Sequence, residues 1–244
     1  MRFNKAGCAA GLAVAMWCGF AADSAPGAVV VDSRFSTSSA DAFVTGLFGG
    51  TASDNDTRSS TDNNPFSYNA QALAEVAGGE AGANAEHNSS LAFANGSFSG
   101  ATMMGYSDAH TVANAEADAT GLSSLFIEFT VPQGETYDFT MSGNLEKSDN
   151  SRASAEIYLY DVVRDQDLVY RNGNTGAFNL SGQLLPGEYE LSARSRAFAS
   201  DVSGQFEVFS DISMNFAIAA VPEPASLALL AAPAALLLRR RRHG

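Results

Sequence analysis

The chain has 244 residues, room for one large or two small domains, and 27 Asp and Glu against 14 Lys and Arg give it a formal charge of −13. Between residues 25 and 220 the imbalance sharpens to 25 acids against eight bases, or −17, a surface that repels phosphate backbones and argues against nucleic acid as a partner. Hydrophobic residues make up 45% and charged ones 17%, which excludes the usual composition of a disordered chain, and both cysteines (Cys8 and Cys18) fall at the start, so the body holds no disulfide and no thiolate metal site.

The first element is an export signal. Arg2 and Lys5 precede an apolar run over residues 6–22, and small residues follow, with cleavage sites after Ala21 or after Ser24. Residues 1–24 are therefore expected to form a signal helix that hands the chain to the Sec translocon and is then removed. Trp17 before Cys18 breaks the pattern of a lipoprotein signal.

Residues 25–220 read as an acidic, all-β body, a β-sandwich or jelly roll. Residues 36–64, rich in Ser, Thr, Asp and Asn, read mostly as loop. Within them Asp54, Asn55, Asp56, Asp62 and Asn63 offer oxygen ligands for Ca²⁺, although Arg58 stands where a calcium loop would place a ligand and that loop's glycine is missing. Residues 70–85 suit a strand pair or a short helix, and Gly78, Gly79 and Gly82 favour strands. Ala113, Ala115, Ala117 and Ala119 alternate with polar residues as one small-faced strand.

From Leu125 the alternation is strict. Leu125, Ile127, Phe129 and Val131 are followed by a turn at Pro132-Gln133-Gly134, then by Tyr137, Phe139 and Met141, and by Ala155, Ile157 and Leu159. Tyr189, Leu191 and Ala193 follow a turn at Leu185-Pro186-Gly187, a segment that resembles the proline-glycine turn and strand of many secreted β-sandwich modules. Phe206 and Val208 open the last run, whose phase slips near Phe209 as a β-bulge would make it, before Ile212, Met214, Phe216 and Ile218.

Catalytic chemistry is sparse. His87 and His110 read as ordinary surface histidines, and Gly96-Ser97-Phe98-Ser99-Gly100 places Phe98 where a nucleophile would stand. Glu188 and Glu190 share a strand face about 7 Å apart, within the spacing that glycoside hydrolysis requires of two acids. Tyr158 and Tyr160 face outward on a neighbouring run and offer a stacking surface for sugar. Asp161, Asp165 and Asp167 form a further acidic loop.

The tail carries the most specific motif. Pro222-Glu223-Pro224 is followed by 14 uncharged residues and then by Arg239, Arg240, Arg241 and Arg242, a cluster that the positive-inside rule keeps in the cytoplasm. At about 1.5 Å per residue the uncharged run spans roughly 21 Å, short of a hydrocarbon core of about 30 Å, so it suits a brief tether. Residues 221–244 resemble the sorting tail of PEP-CTERM proteins. The resemblance implies a Gram-negative-type host, transient inner-membrane anchoring through an apolar helix, and cutting near Pro-Glu-Pro by an exosortase-type membrane protease. It also implies a place at the cell surface or in an extracellular matrix, in association with exopolysaccharide. Two functions follow as expectations: a non-catalytic surface or matrix protein that binds exopolysaccharide, or a secreted hydrolase acting on polysaccharide. No cofactor is expected beyond the Ca²⁺ that the acidic loops could take.

Overall fold

The computed structural model describes residues 27–221 apart from 47, 114–115, 149–150, 174–175 and 202–203. Residues 1–24, expected to be a signal segment, Pro222, Glu223 and Pro224, the apolar run and Arg239, Arg240, Arg241 and Arg242 lie outside the described residues, and with them both helices expected at the ends.

Strands β1 (Val30–Thr45), β2 (Thr51–Ser60), β6 (Ala117–Val131), β8 (Ala153–Asp161), β9 (Gln166–Asn172) and β11 (Gly187–Asp201) form one sheet, ordered β2-β1-β6-β11-β8-β9. Strands β3 (Phe66–Val76), β4 (Gly79–Ala94), β5 (Ser97–Ala113), β7 (Tyr137–Lys147), β10 (Gly176–Leu184) and β12 (Gly204–Ala220) form the other, ordered β10-β7-β12-β5-β4-β3. Both sheets are antiparallel throughout, and their inner faces meet as in a β-sandwich. From β5 onward the pairing is nested: β5 with β12, β6 with β11, β7 with β10, β8 with β9. The β1–β2 hairpin widens the first sheet beside β6, and the β3–β4 hairpin widens the second beside β5.

The alternating runs from Leu125 to Ile218 supply the thick end of the core. Leu125, Ile127 and Phe129 from β6 meet Met141, Leu145, Met214 and Phe216 from the opposite sheet. Phe129 stacks on Tyr189 at 5.4 Å and touches Phe216 at 6.0 Å between ring centroids. Each large side chain buried this fully is worth roughly 1.5–3 kcal/mol. Tyr189 also donates its hydroxyl to Leu185 O at 2.6 Å, which ties down the Leu185-Pro186-Gly187 turn.

The other end is thin. Ala40, Ala42, Ala70, Ala72, Ala83, Ala85, Ala119, Ala197 and their neighbours form a second cluster built almost wholly of alanine. There the sheets approach too closely for larger groups. A Cβ added at Gly121 would lie 2.5 Å from Asn84 O and 2.8 Å from Asp108 O, carbonyl oxygens of the facing sheet. The Asn95-Gly96 turn, with φ of 53° and 80°, joins β4 to β5 as a two-residue hairpin loop.

A polar seam separates the two clusters. Ser36, Ser38, Ser89, Ser107, Ser123, Ser195, Ser210, Arg34 and His87 are all buried between the sheets. Ser107 and Ser195 bond across the interface at 2.7 Å, and Ser38 donates to Ala85 O at 2.6 Å. Each hydroxyl therefore finds a partner, as burial of a polar group requires.

Three expectations are corrected by this arrangement. Residues 36–64 are not loop but most of β1 and all of β2: β1 turns Ser36 and Ser38 inward where a core residue was expected, and β2 is largely solvated, so neither shows hydrophobic period two. The alanine run at 113–119 is not one strand, because β5 ends at Ala113 and β6 starts at Ala117. Finally β12 has no bulge near Phe209. Its register against β5 is continuous, and the apparent slip arises because Ser210 occupies a core position. The strand pair expected over 70–85 is present as β3 and β4.

Candidate functional site

The outer face of the first sheet carries the chemistry, because antiparallel pairing brings outward residues of five strands into rows. One row crosses the sheet as Phe35, Phe126, Ser192, Tyr158 and Tyr170. With strands about 4.8 Å apart it is roughly 19 Å long. Phe35 and Tyr170, at its ends, are 43% and 58% exposed, so aromatic surface stays open to solvent where a merely structural row would bury it. Tyr158 and Tyr160 stack at 5.6 Å with rings 16° apart.

The next row is acidic: Ser33, Glu128, Glu190, Tyr160 and Asp167. Glu128 and Glu190 are directly opposite on neighbouring strands, an arrangement that costs stability. Beside them a register shift between Val31 and Ser33 turns Asp32 and Ser33 both to solvent. Thr130 donates to Asp32 at 2.6 Å and Ser33 to Glu128 at 2.6 Å. With Glu188 these acids line a hollow of about 300 Å³. Tyr158 donates to Glu190 at 3.2 Å, and its own pKa is pushed up to about 12 by burial first and by the Glu190 charge second. Tyr160 donates to Asp165, a bond that raises its pKa.

On the far side of the aromatic row the sign reverses. Arg194 stands between Ser124 and Glu156 and bonds Glu156 at 3.0 Å, while Asn172 reaches both Glu156 and the Tyr170 hydroxyl. The opposite sheet is acidic on its outer face as well, with Glu86, Asp108, Glu207 and Asp211 around Tyr106, whose pKa is raised by burial first and by those charges after it, and a groove of about 580 Å³ lies beside the exposed Met104.

Tyr158, Tyr160, Glu188 and Glu190 are thus brought together on one face, as the alternation implied. Glu128, Asp32, Phe126, Phe35 and Tyr170 join them only through strand order, which one sequence does not disclose. The other acids have local tasks. Asp56 accepts from Tyr68 at 2.7 Å and from Gln71 N, and Asp54 accepts from Leu73 N at 3.0 Å, so both cover the backbone donors of edge strand β3. Asp62 caps Asn64 N. Asp161 is buried and bonded twice by Arg164, apart from Asp165 and Asp167, which are exposed. Among the described residues no three acidic, histidine or cysteine side chains converge on a point that could hold a metal ion.

The histidine expectation is half wrong. His110 is a half-exposed partner of Glu80 at 3.0 Å, but His87 is fully buried in the polar seam. Its Nε2 lies 2.7 Å from Ser89 Oγ and its Nδ1 2.9 Å from Ser123 Oγ. Arg34 donates to Ser89 Oγ at 2.8 Å, so guanidinium, serine and imidazole form one buried hydrogen-bonded chain. Burial, with the Arg34 charge adding to it, lowers the His87 pKa to about 4. Arg34 itself donates to the carbonyls of Asp62 and Asn64, which fastens the β2–β3 crossover to the interior. Burial lowers its pKa as well. Among the described residues no carboxylate side chain bonds His87, and its hydroxyl partners Ser89 and Ser123 are buried with it between the sheets, away from any substrate.

Compared with protein-family models and with curated proteins, the chain matches none. Its function is therefore read from the chemistry of its own faces.

Proposed function

We propose that this chain is an exported protein, processed at its C-terminal sorting signal, whose body binds polysaccharide without cleaving it at the cell surface or in an extracellular matrix. The tail supports export and processing, through Pro222-Glu223-Pro224, the short apolar run and Arg239, Arg240, Arg241 and Arg242. The nested pairing of β5 through β12 supports a jelly-roll reading of the body, a fold in which two Greek keys leave two broad sheet faces.

The observation that carries binding is the open aromatic row beside acids and amides. Sugars present apolar C–H faces and rings of hydroxyls. Aromatic surface takes up the first, and carboxylate, amide and phenol groups hydrogen-bond the second. A row about 19 Å long on a flat sheet suits a chain of several sugar units more than one small molecule.

Hydrolysis is the second reading, favoured by Glu128 opposite Glu190 across β6 and β11. Both carboxylates already accept hydrogen bonds, from Ser33 and Tyr158, and stand on an open face instead of flanking a deep cleft. The test is to incubate the protein with its host's exopolysaccharide and measure both retention and new reducing ends. Retention that falls at least fivefold in Tyr158→Ala or Tyr170→Ala, without new ends, is expected. New reducing ends that vanish in Glu128→Gln or Glu190→Gln would replace binding by catalysis.

A further inference from the structure

Eight bases serve the whole body between residues 25 and 220, and four of them line one pocket. Lys147, Arg152, Arg194 and Arg196 surround a hollow of about 320 Å³ in which Glu156 is the one acid among the described residues. Lys147 and Arg152 have partners of their own and Arg194 pairs with Glu156, while Arg196 stands exposed beside them. Bringing four of the body's eight bases to one hollow costs energy unless anions relieve their mutual repulsion.

The pocket is also built. Arg152 lies over the Phe206 ring at 4.1 Å and donates to Ser200 O at 2.9 Å, and Lys147 donates to Ala153 O at 2.9 Å. Arg194 is steadied by Glu156. Arg196 makes no hydrogen bond or ion pair among the described residues, so its fork of donors faces outward with nothing to bind.

Position decides the ligand class. Arg194 shares its cross-strand row with Glu156, one row from Tyr158, and Arg196 stands one row further, opposite Ser154. At about 3.4 Å per residue these rows lie roughly 7 and 14 Å from the aromatic row. We propose that this pocket binds the carboxylate or sulfate groups of an acidic polysaccharide whose sugar rings lie along Phe126, Tyr158 and Tyr170. The proposal rests on the polysaccharide-binding reading above and adds the charge of the ligand. Guanidinium forks match the two oxygens of a carboxylate, whereas a neutral sugar gives them no counter-charge. An acidic peptide could satisfy the pocket but would leave the aromatic row without a partner.

The experiment uses the full chain in a mild non-ionic detergent, with polygalacturonate and its carboxyl-reduced, neutral derivative as probes. Polygalacturonate is expected to bind at least tenfold more tightly than the neutral polymer, with affinity falling as salt rises. Arg196→Gln should weaken that binding about tenfold and flatten its salt dependence, while Arg196→Lys keeps part of it. Arg196 is exposed, so these variants retain the fold. Equal binding of both polymers that is lost in Tyr158→Ala but unchanged in Arg196→Gln would overturn the anionic pocket and leave polysaccharide binding standing. Poly-glutamate held as tightly as polygalacturonate would overturn the assignment to sugar. If the wild-type chain retains neither polymer, the pocket and the function it rests on fall together.

Discussion

His87 makes the body sensitive to mild acid, and the effect can be sized. The folded state holds a neutral imidazole whose pKa is about 4, against 6.5 for the unfolded chain. Below pH 6.5 the unfolded state takes up a proton that the folded state refuses. The stabilisation is therefore complete above pH 6.5 and is lost as pH falls towards 4. Over the full 2.5-unit difference the loss is about 3 kcal/mol, and between pH 7.5 and pH 5 it is about 2 kcal/mol. Urea unfolding of residues 25–220, followed by far-ultraviolet circular dichroism at both pH values, measures it. His87→Gln keeps hydrogen-bonding capacity without titrating, so the variant starts less stable at pH 7.5 but should lose about 2 kcal/mol less on acidification. Parallel losses in the two proteins would refute the buried, neutral histidine.

Other outcomes follow from particular contacts. Gly121→Ala should cost about 1–3 kcal/mol in urea, because its methyl would meet two backbone oxygens that cannot swing away; an unchanged midpoint would mean that the sheets stand further apart there. Arg34→Met should cost about 3 kcal/mol, since it strips the buried hydroxyls of Ser36 and Ser89 of their donor and unfastens the carbonyls of Asp62 and Asn64, and a neutral result would contradict the role given to the seam. Mass spectrometry of the surface form should yield no peptide from residues 227–244, and recovery of Arg239, Arg240, Arg241 and Arg242 on the mature protein would refute processing.

The alternating runs of the second half were legible because large residues fill the thick end of the core and give a clean period of two. β1 and the unbroken phase of β12 across Phe209 were not, because Ser36, Ser38 and Ser210 hold interior positions, and a buried serine looks in sequence like a surface residue. For the same reason His87 passed as exposed. The site was half legible. The outward direction of Tyr158, Tyr160, Glu188 and Glu190 follows from strand phase alone. Their union with Phe35, Glu128 and Tyr170, or of Arg152 with Arg196, depends on the order β1-β6-β11-β8-β9, which is a long-range property of the fold.

The central claim is that polysaccharide lies on the outer face of the first sheet. The sole tryptophan, Trp17, precedes residue 25, so residues 25–220 contain none and a tryptophan introduced there reports on its own surroundings. Tyr170→Trp places the reporter at the end of the aromatic row, and Met104→Trp, at a position 62% exposed, places it on the opposite sheet. Titration with the host's exopolysaccharide should shift the Tyr170→Trp emission to the blue and leave Met104→Trp unchanged. A response from Met104→Trp alone, or from neither, would contradict it.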